Sequence, residues 1–324
     1  MTIMLTESSA SNAMPLLNDH TSALTTNIDL PIIQTKTKFR FDGIWVPLIT
    51  PFKNGHVDIS ALKSLVVSLV GSGIHGLVAC GTTGEAAHLS EDEQETVLKA
   101  ILESVEPGYP VLMGISGSDT LTAVKKVMRF NHHSIAGFLV SAPSYVKPSQ
   151  LGILLHFQAI ADAATQPIII YNIASRTGVN IELPTLITLS SDPRFVAIKE
   201  SSSNIHQVVD CINQTPLGVL SGDDTLLLHT LCAGGIGAIS AAAHIRPDLY
   251  VDIYNLVRSG DLAQARDVFN KMLPLIRLLF SEPNPAPLKA ILASRGDINE
   301  ELRLPMTPVS DLHKEKLITA LHKI

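Results

Sequence analysis

From Phe41 onward, short runs of consecutive apolar residues alternate with longer stretches in which apolar positions recur every three or four residues. The short runs are Ile44–Ile49, Gly76–Cys80, Val111–Gly114, Gly137–Ser141, Ile168–Tyr171, Phe195–Lys199, Gly218–Ser221 and Gly237–Ser240. Unbroken apolar strands of this length are buried on both faces, as in a parallel sheet whose crossovers are helices. The stretches between them carry helix signals. Ser90-Glu91-Asp92-Glu93 has capping-box spacing, so the serine hydroxyl can accept from the third helical amide while the glutamate reaches back. Asp58 precedes a stripe of Leu62, Leu65, Val66 and Leu69 at helical spacing. Pro184 and Pro247 stand where a first-turn proline is tolerated. Eight strand–helix units predict an α/β fold, a (β/α)8 TIM barrel over residues 39–262, close to the usual size of about 250 residues. A doubly wound open sheet is the rival, but Pro47–Phe52 lacks the glycine fingerprint it would carry after its first strand.

Outside the barrel the pattern changes. Residues 263–324 have a helical pattern broken at Pro283, Pro285 and Pro287, and are expected to form a C-terminal helical region. Residues 1–38 have no sustained periodicity and are expected to form a flexible tail. The tail has no basic start followed by an apolar core, and no arginine, so neither a secretory signal nor a transit peptide is expected there.

Charge and cysteine usage narrow the setting. The net charge of −6 is spread over scattered residues, without the clustered basic footprint that nucleic acid requires. No run of eighteen apolar residues is present, so no membrane span is expected. Cys80, Cys211 and Cys232 are odd in number and far apart, which fits a reducing cytoplasm. The twelve histidines show no ligand spacing; His132 and His133 are adjacent, and no metal site is expected. Gly234-Gly235-Ile236-Gly237 lacks the G-K-[ST] of a phosphate loop and reads as turn chemistry.

Active sites of such barrels lie at the carboxyl ends of the strands. The chemistry-bearing residues of this chain directly follow the apolar runs: Gly81-Thr82-Thr83-Gly84-Glu85, Pro143-Ser144-Tyr145, Tyr171-Asn172 with Arg176 just beyond, Lys199, and Gly222-Asp223-Asp224. A lysine that ends a buried strand has lost water, and desolvation favours the neutral, nucleophilic amine. Lys199 could equally snorkel to the rim and pair with Glu200. Alternation along the strand places it on the side of Ala197, opposite Ile198 and Glu200, so the choice turns on which side faces the lumen. Tyr171 is either a satisfied core tyrosine or a proton donor and acceptor opposite the lysine; with an ordinary pKa of about 10 it would need hydrogen-bonded help. Thr82 and Thr83 are either local turn hydroxyls or a relay and carboxylate clamp. Arg176 is either a surface arginine or a fork for a carboxylate. Gly222-Asp223-Asp224 reads as a turn with a helix N-cap.

Taken together, these segments resemble the pyruvate-dependent class I lyases of the dihydrodipicolinate synthase and N-acetylneuraminate lyase family, over about residues 41–324. The threonine loop, the arginine motif Ser175-Arg176-Thr177-Gly178, the Lys199-Glu200 pair, Glu282-Pro283-Asn284-Pro285 and Leu302–Pro308 are similar to the synthase branch rather than the sialic acid lyases. The resemblance implies that Lys199 forms a Schiff base with pyruvate and that the resulting enamine attacks aspartate 4-semialdehyde, a step of lysine and diaminopimelate biosynthesis. It implies proton transfer by Tyr171 through Thr82 to Tyr145, the latter reaching in from a neighbouring subunit. It also implies that Arg176 holds the semialdehyde carboxylate, that Thr83 and the Ile239 backbone hold pyruvate, that no cofactor takes part, and that the chain is a homo-oligomer, a dimer of dimers. Two departures keep alternatives open. Ser144 stands where many synthases have a second tyrosine, and Ala174 where a proline is common. The alternatives are another lyase or aldolase of the family acting on a sugar acid or other aldehyde, and a barrel that binds a keto acid without catalysis. Some members have a lysine feedback site. Its matching positions here are Glu91, Gln94, Ser118, Thr122 and Ser144, and L-lysine is not expected to inhibit.

Overall fold

The computed structural model describes residues 40–324. The tail expected over residues 1–38 lies outside them.

Eight parallel strands close into a barrel whose spatial order follows their order in sequence. They are β1 (Gly43–Pro47), β2 (Gly76–Ala79), β3 (Val111–Ile115), β4 (Gly137–Ser141), β5 (Ile168–Asn172), β6 (Phe195–Glu200), β7 (Gly218–Ser221) and β8 (Gly237–Ile239). Closure is made by β1 against β8, with Trp45 opposite Ile239. The expected (β/α)8 barrel is therefore the fold, and all eight apolar runs are strands.

Alternation along the strands sorts their side chains into two clusters. Trp45, Val78, Leu112, Leu139, Ile169, Ala197, Leu220 and Ile239 fill the lumen. Val46, Leu77, Met113, Phe138, Ile170, Ile198 and Val219 face outward and pack with the helices. The lumen is thus a packed core, with a cavity at the carboxyl rim.

The helix signals act as read. Asp58 caps Ile59–Gly71 by accepting from the Ala61 amide. Both halves of the Ser90/Glu93 capping box are present ahead of Glu91–Leu102. Pro184 and Pro247 lie in the first turns of Leu183–Ser190 and Pro247–Ser259. One rim device was not anticipated. His244 is buried; its Nδ1 lies 2.7 Å from the Ala241 carbonyl and its Nε2 accepts from the Ile49 amide at 3.2 Å, which ties the exits of β8 and β1 together. Burial pushes this imidazole down to about 4.

Beyond the barrel lie helices Leu262–Leu279, Ala286–Ser294 and Asp311–Leu321. Pro283 and Pro285 break the chain as expected, while Pro287 sits inside the first turn of a helix and Pro274 inside Leu262–Leu279. The break matters for the site, because Asn284 and Pro285 line the cavity at the barrel mouth. No helix among the described residues is long and apolar enough to cross a membrane.

Candidate active site

After a register shift between Ile168 and Ile169, β5 and β6 pair so that Tyr171 is opposite Lys199 and Asn172 is opposite Glu200. Alternation sends the first pair into the lumen. Lys199 is 6% exposed, and its Nζ lies 4.3 Å from the centroid of the Tyr171 ring. Glu200 points the other way and is spent on Asn172, Gln207 and the Ser202 amide. The surface pairing of Lys199 with Glu200 is thereby excluded.

Around the amine a cavity of about 260 Å³ opens at the carboxyl rim, lined by Thr82, Thr83, Tyr171, Arg176, Lys199 and Asn284 among others. A second lobe shares these residues and extends past Ser201, Gly222, Asp224 and Ile239. Thr83 is buried, and its Oγ1 accepts from Asn284 Nδ2 at 3.0 Å. Arg176 follows β5 on the one-turn helix Ala174–Thr177; its side chain is exposed, and Nη2 donates to the Asn284 carbonyl at 3.4 Å. The structure therefore brings six of the seven sequence-derived residues (Lys199, Tyr171, Thr82, Thr83, Arg176 and Ile239) to one mouth.

Tyr145 stands apart. It is 90% exposed, is not among the residues lining the cavity, and has a φ of 73°. A bulky residue in the left-handed region is uncommon. Here the loop after β4 holds it there, with its amide donating to the Thr177 carbonyl at 3.2 Å.

The sequence reading missed four features. Asn284 bridges Thr83 and Arg176, and its Oδ1 is buried without a partner. Behind the threonine turn, Glu85 meets Lys289 as an ion pair at 2.5 Å, with both side chains at most 1% exposed. Burial pulls the Lys289 ammonium down, and Glu85 opposes that shift. A lysine inside the apolar run Ala286–Leu292 is the one sequence signal that marks this pair. Third, Asp223 is the cap expected of its turn, but Asp224 is buried, accepting from Tyr250 Oη at 2.7 Å and the Ala242 amide at 3.2 Å. Burial raises its carboxyl to about 6, and these hydrogen bonds work in the other direction. Fourth, on the outer surface, Glu95, His132 and His133 bring possible ligand atoms within 4.8 Å of one another despite their unpromising spacing. Glu95 already pairs with Lys99 and Arg129, each at 2.8 Å, and these cations oppose a metal ion there.

A closed parallel barrel with a buried amine at its carboxyl rim is the architecture of a barrel enzyme with a candidate nucleophile. Comparison with known proteins gives its family, one of lyases. The Dihydrodipicolinate synthetase family matches residues 40–324, and the chain belongs to that family. A 4-hydroxy-tetrahydrodipicolinate synthase of Nitratidesulfovibrio vulgaris is 39% identical over 281 residues, which is 86% of this chain and 96% of that protein. The crystal structure of dihydrodipicolinate synthase from Aquifex aeolicus superposes with a TM-score of 0.85 at 36% identity, covering 87% of this chain and 98% of that one. That of dihydrodipicolinate synthase from Thermotoga maritima gives 0.86 at 35% identity, with the same coverage.

Proposed function

We propose that this chain is a 4-hydroxy-tetrahydrodipicolinate synthase, condensing pyruvate with L-aspartate 4-semialdehyde in lysine and diaminopimelate biosynthesis. One observation carries the reading: a lysine amine withdrawn from solvent, 4.3 Å from a tyrosine ring, within the wall of a cavity shared with two threonines and an arginine. Family membership and the relatives' activity support it.

In this reading Lys199 is the nucleophile. Its amine gives up a proton, adds to the pyruvate ketone and water leaves, giving an imine. The imine draws electrons from the methyl carbon, a proton departs, and the enamine carbon attacks the semialdehyde carbonyl. The new hydroxyl takes up a proton. The substrate's own amine then adds to the imine carbon, closes the ring and releases Lys199, so one water is lost overall. The lysine imine is the electron sink, and the sequence of steps calls for no separate cofactor or metal.

Tyr171, whose ring centroid lies 4.3 Å from the amine, donates and accepts the protons, and Thr82 relays to it. Thr83 and the Ile239 backbone hold the pyruvate carboxylate. Arg176, at the outer edge of the cavity, holds the carboxylate of the semialdehyde with its planar fork. The position of Tyr145 supports the reading that it completes the site of a second copy: a large amphipathic side chain standing in solvent, one loop away from its own cavity. A homo-oligomer, a dimer of dimers in the cytoplasm, belongs to this proposal. So does the division into a catalytic barrel over residues 39–262 and a closing helical region over 263–324.

Borohydride reduction in the presence of pyruvate tests the proposal. A three-carbon adduct on Lys199, located by peptide mass spectrometry, is expected. Steady-state assays with aspartate semialdehyde against sugar aldehydes then fix the second substrate. No adduct, or turnover only with sugar aldehydes, contradicts the assignment.

A further inference from the structure

Directly behind the reactive pair, on the outer face of the barrel wall, a carboxylate is buried without a cation. Glu200 is 2% exposed. Its Oε1 accepts from the Ser202 amide at 2.7 Å, its Oε2 from Gln207 Nε2 at 3.0 Å, and Asn172 Nδ2 reaches both oxygens at 3.3 and 3.0 Å. Among the described residues, neutral amides alone hold it. Asn172 is fully buried as well; its Nδ2 also donates to Asn180 Oδ1 at 2.8 Å and its Oδ1 accepts from the Ile181 amide at 3.0 Å. Asn180 and Gln207 close the ring through a 2.8 Å bond from Asn180 Nδ2 to Gln207 Oε1.

The strand register makes this network consequential. One step earlier on the outer face, the pair across β5 and β6 is Ile170 with Ile198, buried and apolar like the rest of that layer. An apolar pair would satisfy burial at the next outward position too. The chain instead places Asn172 and Glu200 there, a pair that pays desolvation and returns direction, because a charge-assisted hydrogen bond fixes angle as well as distance. The backbone around it is tied at both edges: the Ser201 amide donates to the Asn172 carbonyl and the Gly222 amide to the Glu200 carbonyl, each at 2.8 Å. Tyr171 and Lys199 each immediately precede a member of the locked pair and must point to the opposite side.

Resting on the function proposed above, we infer that Glu200 is a positioning residue: through Asn172 it sets the rotation of the ends of β5 and β6, and so the placement of the Lys199 amine against the Tyr171 phenol. It touches neither substrate nor the reacting atoms. Misplacement of reacting groups by about 1 Å costs on the order of a hundredfold in rate, so a lock of this kind is visible in turnover.

The substitution Glu200→Gln keeps length and volume but turns one acceptor oxygen into an NH2, which must then face Asn172 Nδ2, Gln207 Nε2 or the Ser202 amide. With saturating pyruvate, the rate of borohydride-trapped adduct formation per folded molecule is expected to fall roughly tenfold or more, while half-saturation by pyruvate changes by less than about threefold. The exchange Asn172→Asp with Glu200→Gln restores one donor and one acceptor across the register pair and is expected to recover most of that rate. Asn172→Asp alone sets two carboxylates against each other and is expected to lose it. Glu200→Asp, which keeps the charge, serves if the glutamine variant does not fold; a partial loss is expected. A parent enzyme that forms the adduct beside a Glu200→Gln variant within twofold of it, or one that melts lower yet reacts at the parental rate when cold, overturns the positioning role alone. A parent that forms no adduct overturns the underlying reading, and this inference with it.

Discussion

Lys289 Nζ lies 2.5 Å from Glu85 Oε1 at the back of the threonine turn, and the same ammonium donates to the Glu301 carbonyl at 2.9 Å and stands 4.2 Å from the centroid of the Phe52 ring. This one amine gathers the loop after β2, the segment following β1 and the C-terminal region. Glu85 itself has a φ of 53°, a left-handed conformation held in place by these partners.

Removing one member of such a pair leaves an uncompensated buried charge. Lys289→Met is expected to destabilise the protein by about 3–5 kcal/mol, and the double variant Lys289→Met/Glu85→Gln to recover a substantial part. Urea unfolding of the four proteins in a double-mutant cycle measures this. Additive single effects would contradict a coupled pair.

Arg176 is exposed and among the described residues its side chain makes one long bond, so its loss should spare the fold. Arg176→Ala is expected to raise the half-saturating concentration of aspartate semialdehyde by roughly 10- to 100-fold, the worth of a hydrogen-bonded charge. Pyruvate adduct formation should be largely retained. Equal loss of both would place the arginine at the pyruvate end instead.

Gly222 leaves room for the amine. A Cβ built there would lie 2.8 Å from Lys199 Cε and Cγ, and 1.9 Å from Ser201 Oγ. Gly222→Ala therefore displaces the lysine side chain or costs about 1–3 kcal/mol in strain. The expected result is a folded protein, by circular dichroism, that forms the pyruvate adduct at least tenfold more slowly, the consequence of a misplaced nucleophile. Adduct formation at the parental rate would show that the lysine stem does not need this space.

Two buried groups oppose one another in acid. His244 protonates near 4 when folded against 6.5 as an ordinary imidazole, so its contribution is complete above 6.5 and is lost as the pH falls toward 4, about 3 kcal/mol in all. Asp224 has the reverse sign: its folded carboxyl protonates near 6 against 3.8, so acidification through that window favours the folded state by about 3 kcal/mol. Their sum is nearly flat between pH 4 and 6.5. Denaturant titrations should show His244→Gln gaining stability relative to the parent as pH falls through this range, and Asp224→Asn losing it. Parallel profiles for all three proteins would contradict the assignment.

L-lysine is expected to leave the activity unchanged at millimolar concentration. Of the five positions expected at a lysine feedback site, Glu91 pairs with Arg129 at 3.3 Å and the buried Gln94 amide donates to the Ala86 and Leu89 carbonyls at 3.0 and 3.3 Å. Both are committed within the fold. Inhibition by sub-millimolar lysine in a coupled assay would disprove this.

The barrel was legible because its signals are local. A buried parallel strand announces itself within five residues, and caps such as Ser90 and Asp58 act on amides three positions away. Period two put Lys199 on the side of Ala197 and opposite Glu200, and the closed barrel shows that this side is the lumen. What escaped is what depends on distant chain meeting in space: Lys289 against Glu85, Asn284 against Thr83, Tyr250 against Asp224. None of these pairs leaves a periodicity; apart from Lys289 in its apolar run, each partner looks locally like an ordinary helix or turn residue. Alternation sets Glu200 opposite Lys199, but its contact with Asn172 needs the pairing of β5 with β6, which no local pattern gives.

The bond between Asn284 and Thr83 has a temporal side. On a ribosome every barrel strand is made before residue 284, and domains can begin to fold while the remainder is still emerging. A nascent chain that has already joined its last strand to its first still lacks Asn284 at the cavity edge, and Glu85 still lacks its cation. Competence to react therefore arrives late in synthesis, with the closing stretch of polypeptide, and a product cut short just after the last strand would keep the lysine while lacking the side of the cavity made by Asn284, Pro285 and Met306.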